Sequence, residues 1–273
     1  MEKNKILYVT QEINPFLVNT EISNLVRTLA QGVHESDKEI RIFMPRFGVI
    51  NERRHQLHEV IRLSGMNLIV NDYDHPLIIK VASIPQIRIQ VYFIDNEEYF
   101  KRKFLFNDEN NNLYNDNDER AMFFCRGVLE TVKKLGWIPD IIHCHGWMSA
   151  LMPLYLKSVY LNDPHFSNAK SIYSVYSEKS NITFPKDFVK KLTFDDIPTD
   201  DFDNGEINID KLHEIGVKWS DAISLCTDDL STTIKELSYS SEKPILDFHD
   251  EEHTIKEHQD FYEKVLSENG VLA

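Results

Sequence analysis

Positive charge is scarce in this chain. Its 273 residues carry 30 lysines and arginines against 44 aspartates and glutamates, a formal net charge of −14. Nucleic acids and anionic membrane surfaces are gripped through a basic footprint, so neither is an expected partner. A neutral polymer is not repelled by such a surface, whereas a nucleotide phosphate would need basic groups gathered locally. Cysteine is scarce as well. Cys125, Cys144 and Cys226 lie far apart and form no Cys-x-x-Cys pair, which removes a zinc site and a disulfide framework from consideration. The eleven histidines are scattered, and His143-Cys144-His145 has no further ligand residues nearby, so no metal site is expected. No stretch approaches the roughly 20 apolar residues of a membrane span. The run Ile6–Val9 near the start is too short for a signal peptide, and a reducing cytoplasm is the expected location. There is no internal repeat.

What is present points to one class of fold. Apolar residues make up 42% of the chain, enough for a real core. Strand-like segments at Lys5–Thr10, Glu39–Met44, Asp140–Cys144, Ser171–Tyr176 and Asp221–Leu225 alternate with helix-like ones. The helical segments run from about Thr20 to Val33, Asp118 to Leu135, Asn208 to Trp219 and Asp229 to Leu237. In the first of these, Ile22, Leu25, Val26, Leu29 and Val33 repeat at helical spacing, with Asn19 or Thr20 as N-cap. Leu77–Ser83 and Arg88–Asp95 read as a hairpin turning near Pro85. Such alternation predicts a doubly wound, mostly parallel α/β sheet. The Asn- and Asp-rich stretch 107–118 reads as a loop, and 177–206 as a loop with a short helix around Lys186–Leu192. The boundaries expected are one domain over 1–245 and an acidic, amphipathic C-terminal helix within 246–273.

The most informative segment runs from Pro139 to Leu151. Ile141 and Ile142 suit a strand buried on both faces. His143 and His145, two residues apart, share a face at its end, Gly146 opens a turn, and Trp147, Ala150, Leu151, Leu154 and Tyr155 return to helical spacing. Ligands of open α/β sheets bind outside the carboxyl ends of the strands, so a histidine there is well placed. Of the two, His143 is read as structural. Arg46, Arg53 and Arg54 are read as a solvated face, and Trp147 as core.

Several motifs then coincide in order. His143-Cys144-His145-Gly146-Trp147 resembles the His-x-His-Asp-Trp segment of bacterial glycogen and plant starch synthases, with Gly146 in place of the Asp. Glu12-Ile13-Asn14-Pro15 resembles their Glu-x-x-Pro opening, and Arg41–Gly48 their Val-x-Pro-x-Tyr-Gly strand end. Asp116-Asn117-Asp118-Glu119-Arg120 closely matches their Asp-Asn-x-Glu-Arg-Phe signature. The resemblance spans roughly residues 5–240. It implies the N-terminal Rossmann-like half of a two-domain, retaining glycosyltransferase. Such enzymes transfer glucose from a nucleotide sugar, usually ADP-glucose, to an α-1,4-glucan. It further implies His145 as the catalytic-site residue, acting as a hydrogen-bond donor rather than a proton shuttle. Tyr92, Tyr99, Asp116, Asn117 and Arg120 are the implied acceptor-side set. The competing readings for these are core packing for the tyrosines and a helix-capping cluster for the other three.

One departure from the family pattern bears on chemistry. Where these synthases carry Lys-x-Gly-Gly-Leu, with glycines that let amides reach a diphosphate, this chain has Val18, Asn19, Thr20, Glu21 and Ile22. Exchanging an attractive for a repulsive charge at about 4 Å costs on the order of a few kcal/mol at an effective dielectric near 20. The donor loop therefore reads as degenerate. Three functions remain open. The first is a glucosyltransferase of the glycogen/starch synthase class. The second is a non-catalytic α-glucan-binding or regulatory relative. The third is a nucleotide-sugar or small-metabolite sensor, for which no phosphate-binding groups are visible. The expected partner is an α-glucan such as glycogen or a maltooligosaccharide. ADP-glucose and a second protein subunit that completes the cleft are further candidates. No cofactor is expected.

Overall fold

The computed structural model describes residues 3–18, 20–178, 182–202, 206–249 and 254–267. Ten strands form its sheet: β1 (Lys5–Thr10), β2 (Glu39–Pro45), β3 (His58–Glu59), β4 (Met66–Val70), β5 (Tyr73–Ser83), β6 (Gln90–Asp95), β7 (Ile141–His145), β8 (Lys170–Val175), β9 (Ala222–Leu225) and β10 (Ile245–Leu246). Helices α1 (Glu21–Glu35), α2 (Glu52–His55), α3 (Glu97–Phe100), α4 (Asn117–Leu135), α5 (Met152–Lys157), α6 (Phe188–Phe194), α7 (Ile209–Trp219), α8 (Thr232–Ser240) and α9 (Thr254–Ser267) connect or cover them.

The strand order is β10-β9-β8-β7-β1-β2-β6-β5-β3, with β4 paired to β5. All neighbours from β10 through β6 are parallel, and β3, β4 and β5 form an antiparallel edge. The chain winds outward from β1 through β2 and β6, then returns to lay β7 against the other side of β1. That reversal is a topological switch point, and it opens a crevice at the carboxyl ends of β1 and β7.

Both central strands are buried on both faces, which explains their near-continuous apolar runs. Helix α1 packs on β1 and β2, and α9 lies beside α1 on the same face. Their contact is close: a Cβ on Gly32 would meet Ile255 Cγ2 at 2.4 Å. Helix α7 covers the opposite face, where Gly216 lies under the Tyr173 ring.

Two expectations are corrected by the structure. The continuous helix expected after Gly146 is a single 3₁₀ turn, Trp147–Ser149, followed by the short α5, which carries Pro153 in its first turn. Arg46 is not on a solvated face. It is buried and ion-paired with Glu52 and Asp95, and Lys80 joins both acids. Arg53 and Arg54 are exposed, as read. The strands β3, β4 and β10 are too short, or too polar along one face, to announce themselves in the sequence.

Candidate functional site

The crevice is built from polar side chains on a face that should be apolar. Tyr8, His143, His145, Ser174 and Ser224 all lie on strands and are all fully buried. They are tied to one another and to α9. His143 Nδ1 lies 2.7 Å from the Tyr262 hydroxyl and its Nε2 2.7 Å from Ser174 Oγ, while Tyr8 and Tyr262 meet at 3.0 Å. His258 Nε2 lies 3.2 Å from Ser224 Oγ, and its Nδ1 2.8 Å from the Thr254 carbonyl. Burial drives His143 and His145 well below the ordinary imidazole value, and His258 down to about 4. All three are therefore neutral near pH 7.

His145 differs from its neighbour. Its Nδ1 lies 2.7 Å from the Tyr176 hydroxyl, but Nε2 has no partner among the described residues. The tautomer in which Tyr176 donates to Nδ1 leaves the proton on Nε2 and makes that atom a donor. An unpaired buried donor costs about 1–3 kcal/mol, so Nε2 is unused hydrogen-bonding capacity within the buried layer at the strand ends.

At the start of α1, Thr20 is the N-cap. Its side chain accepts from the Ser23 amide at 3.0 Å, and Ser23 Oγ accepts from the Thr20 amide at 3.3 Å. The Thr20 hydroxyl also donates to the buried Glu12 carboxylate. Glu21 sits in the first turn, and Val18 is 51% exposed. Asn19 lies outside the described residues. The helix N-terminus is thus occupied by its own side chains and flanked by two carboxylates. Beside it is a cavity of about 530 Å³ lined by Thr20, Glu21, Tyr176, Asp228, Phe248 and His258, among others. Among the described residues it is lined by no lysine or arginine.

The acceptor-side set is divided by the structure. Tyr92 is 8% exposed and stacks on Phe43, with ring centres 4.9 Å apart. Tyr99 is buried, its hydroxyl donating to Glu119 at 2.9 Å and lying 2.9 Å from His75 Nε2. Asn117 is buried and accepts from Arg120 Nη1 at 2.6 Å. Arg120 is fully enclosed between Phe47, Phe100, Phe106 and Tyr114, with its centre 5.4–5.9 Å from each ring. Burial, and Arg102 nearby, lower its guanidinium to about 9. These four side chains are buried and line none of the cavity described next. Asp116 does. It pairs with Arg102 and, with Tyr114, Glu119, Phe184 and Lys191, lines an open cavity of about 570 Å³. It occupies the N-cap position of α4 without a side-chain capping hydrogen bond.

Sequence reasoning missed Gln11, Glu178 and Tyr262. Gln11 and Glu178 sit in loops without periodicity, and Tyr262 looks like one more apolar residue of an amphipathic helix.

A strand-end crevice at a switch point, roofed by helices on both faces, defines a doubly wound α/β domain of the ligand-binding kind. Comparison with known proteins narrows this. The model of the starch synthase catalytic domain matches residues 5–243. A glycogen synthase of Chlorobium phaeobacteroides is 35% identical over 233 residues, 85% of this chain and 47% of that protein. One of Chlorobaculum tepidum is 35% identical over 246 residues, 88% of this chain and 50% of that protein. The catalytic domain of starch synthase IV from Arabidopsis thaliana, bound to ADP and acarbose, superposes with a TM-score of 0.72 at 15% identity, covering 91% of this chain and 52% of that one. The chain belongs to the starch synthase catalytic domain family of glycosyltransferases. It spans about half the length of these curated relatives. No helix among the described residues is long and apolar enough to cross a membrane.

Proposed function

We propose that this chain is a glycogen/starch synthase-like protein of glucan biosynthesis that binds α-1,4-glucan and has lost the phosphate grip for a nucleotide sugar. One observation carries the reading: the N-terminus of α1 is capped by Thr20 and Ser23 and flanked by the carboxylates of Glu12 and Glu21. A diphosphate needs free amides and positive charge at such a terminus. Here the Thr20 and Ser23 amides are engaged and the flanking charge is of the wrong sign. The cavity beside it is lined by Glu21, Asp228 and Asp247. The other cavity suits a neutral sugar better. Its polar groups, Asp116, Glu119 and Lys191, stand beside the Tyr114 and Phe184 rings, the mixture of orienting hydrogen bonds and apolar faces that small polar ligands require.

The family's own reaction is the second reading, glucosyl transfer from ADP-glucose with His145 as a hydrogen-bond donor. The unpartnered Nε2 of His145 favours it. Calorimetric titration with a maltooligosaccharide tests the first reading. Binding weakened severalfold or more by Asp116→Asn supports a glucan site at the 570 Å³ cavity. Binding untouched by that substitution removes the site from this cavity.

A further inference from the structure

The turn that carries His145 is held in place by a carboxyl group three residues beyond β8. Glu178, with a side chain 12% exposed, accepts from the Trp147 amide at 3.1 Å through Oε1 and from Gln11 Nε2 at 3.4 Å through Oε2. Gln11 completes the grip. Its Oε1 accepts from the Met148 amide at 3.3 Å, and its backbone N–H donates to the His145 carbonyl at 3.3 Å. Gly146, at φ +80°, lies so near that a Cβ there would sit 2.4 Å from the Gln11 side chain. Backbone groups of residues 145, 147 and 148 are therefore fixed from one side by Gln11 and Glu178.

Few charges face this carboxyl. From the β1 loop, Glu12 contributes a like charge. From α7, His213 Nε2 stands 3.8 Å from Oε1 with no hydrogen-bond partner, while its Nδ1 lies 2.8 Å from the Tyr173 hydroxyl of β8. No lysine or arginine pairs with Glu178 among the described residues.

We propose that Glu178 is a positioning residue that acts as a proton-operated clamp: ionised, it holds the turn bearing His145, and protonated, it releases it. The ionised carboxylate accepts from two N–H groups at once. A proton taken from solvent onto either oxygen removes the charge that strengthens both contacts and takes one acceptor site from that oxygen, so the grip on the two N–H groups weakens. No other group changes charge in the step. Burial, assisted by Glu12, pushes the Glu178 carboxyl up to about 7, against the opposing pull of its bonds to Trp147 and Gln11. His213 is held down to about 4 by burial and stays neutral, so it does not lock Glu178 as an ion. The exchange falls in the neutral range, where ordinary glutamates do not titrate. It does not depend on any ligand.

The test is a pH titration of the free, isotope-labelled chain by NMR. The Trp147 and Met148 amides and the Glu178 side-chain carboxyl carbon are expected to titrate together, with a midpoint at about 7. In Glu178→Gln the amide shifts should be flat across the neutral range, whereas His213→Gln should keep them. A Glu178 carboxyl midpoint below about 5, read in the unsubstituted protein, would overturn the proposal even if the variant failed to fold. So would amide titration that survives in Glu178→Gln and vanishes in His213→Gln.

Discussion

Glu178 is charged at a place the fold would rather keep neutral. Its value of about 7 in the folded chain lies above the ordinary 4.5, so the folded state holds the proton more tightly than the unfolded one. The stability this contributes is fully present below about pH 4.5 and is lost as pH rises through 7. The loss is on the order of 3 kcal/mol. Melting curves should therefore show Glu178→Gln gaining on the parent chain between about pH 5 and pH 8, whatever offset the amide introduces at low pH. A constant difference would mean that the carboxyl titrates normally. At this scale the sequence was legible where chemistry and position coincide. His145 stands at a strand end within a motif, and Val18, Thr20 and Glu21 leave the start of α1 without lysine or glycine. The burial of Tyr92 and Tyr99 matches the core-packing reading weighed for them, whereas that of Asn117 and Arg120 was not legible, because a motif tells that a residue matters and not where its side chain lies. Arg120 is the clearest case: a guanidinium enclosed by four rings looks, in sequence, like any surface arginine.

Among the elements, α9 does most to close the crevice. Its Tyr262 bonds Tyr8 and His143, its His258 bonds Ser224, and its Ile255 fits against Gly32 of α1. Replacing Tyr262 by Phe keeps the ring but leaves His143 Nδ1 and the Tyr8 hydroxyl without it. Chemical denaturation should register a loss of about 1–3 kcal/mol. No loss would mean that water or a rearranged Tyr8 replaces the hydroxyl. A second element, the segment after α3, is wedged against the β2–α2 turn. A Cβ on Gly48 would lie 2.1 Å from the Arg102 carbonyl oxygen. Backbone cannot rotate away as a side chain can, so Gly48→Ala should cost about 2 kcal/mol or more and move the Asp116 side of the site with it. The main strands and helices were legible because their periodicity is long and clean. The edge strands, and the break between the 3₁₀ turn and α5, depend on tertiary packing that no local pattern carries.

For the whole molecule, the doubly wound order places the β1 and β7 ends together at the switch point. The net charge of −14 sets the background against which a nucleotide would have to bind. The carboxylates at α1 add to it locally. V18K/T20G/E21G, which restores a cation and two flexible positions, should raise affinity for ADP-glucose if the remainder of the donor surface is intact. Unchanged affinity would mean that other donor contacts are absent too. The most direct measurement is a parallel calorimetric titration of the unsubstituted chain with a maltooligosaccharide, ADP and ADP-glucose. Heat with the glucan and none with either nucleotide is the predicted result. Micromolar binding of ADP or ADP-glucose would contradict it, because Glu12, Thr20 and Glu21 would then not close the phosphate site.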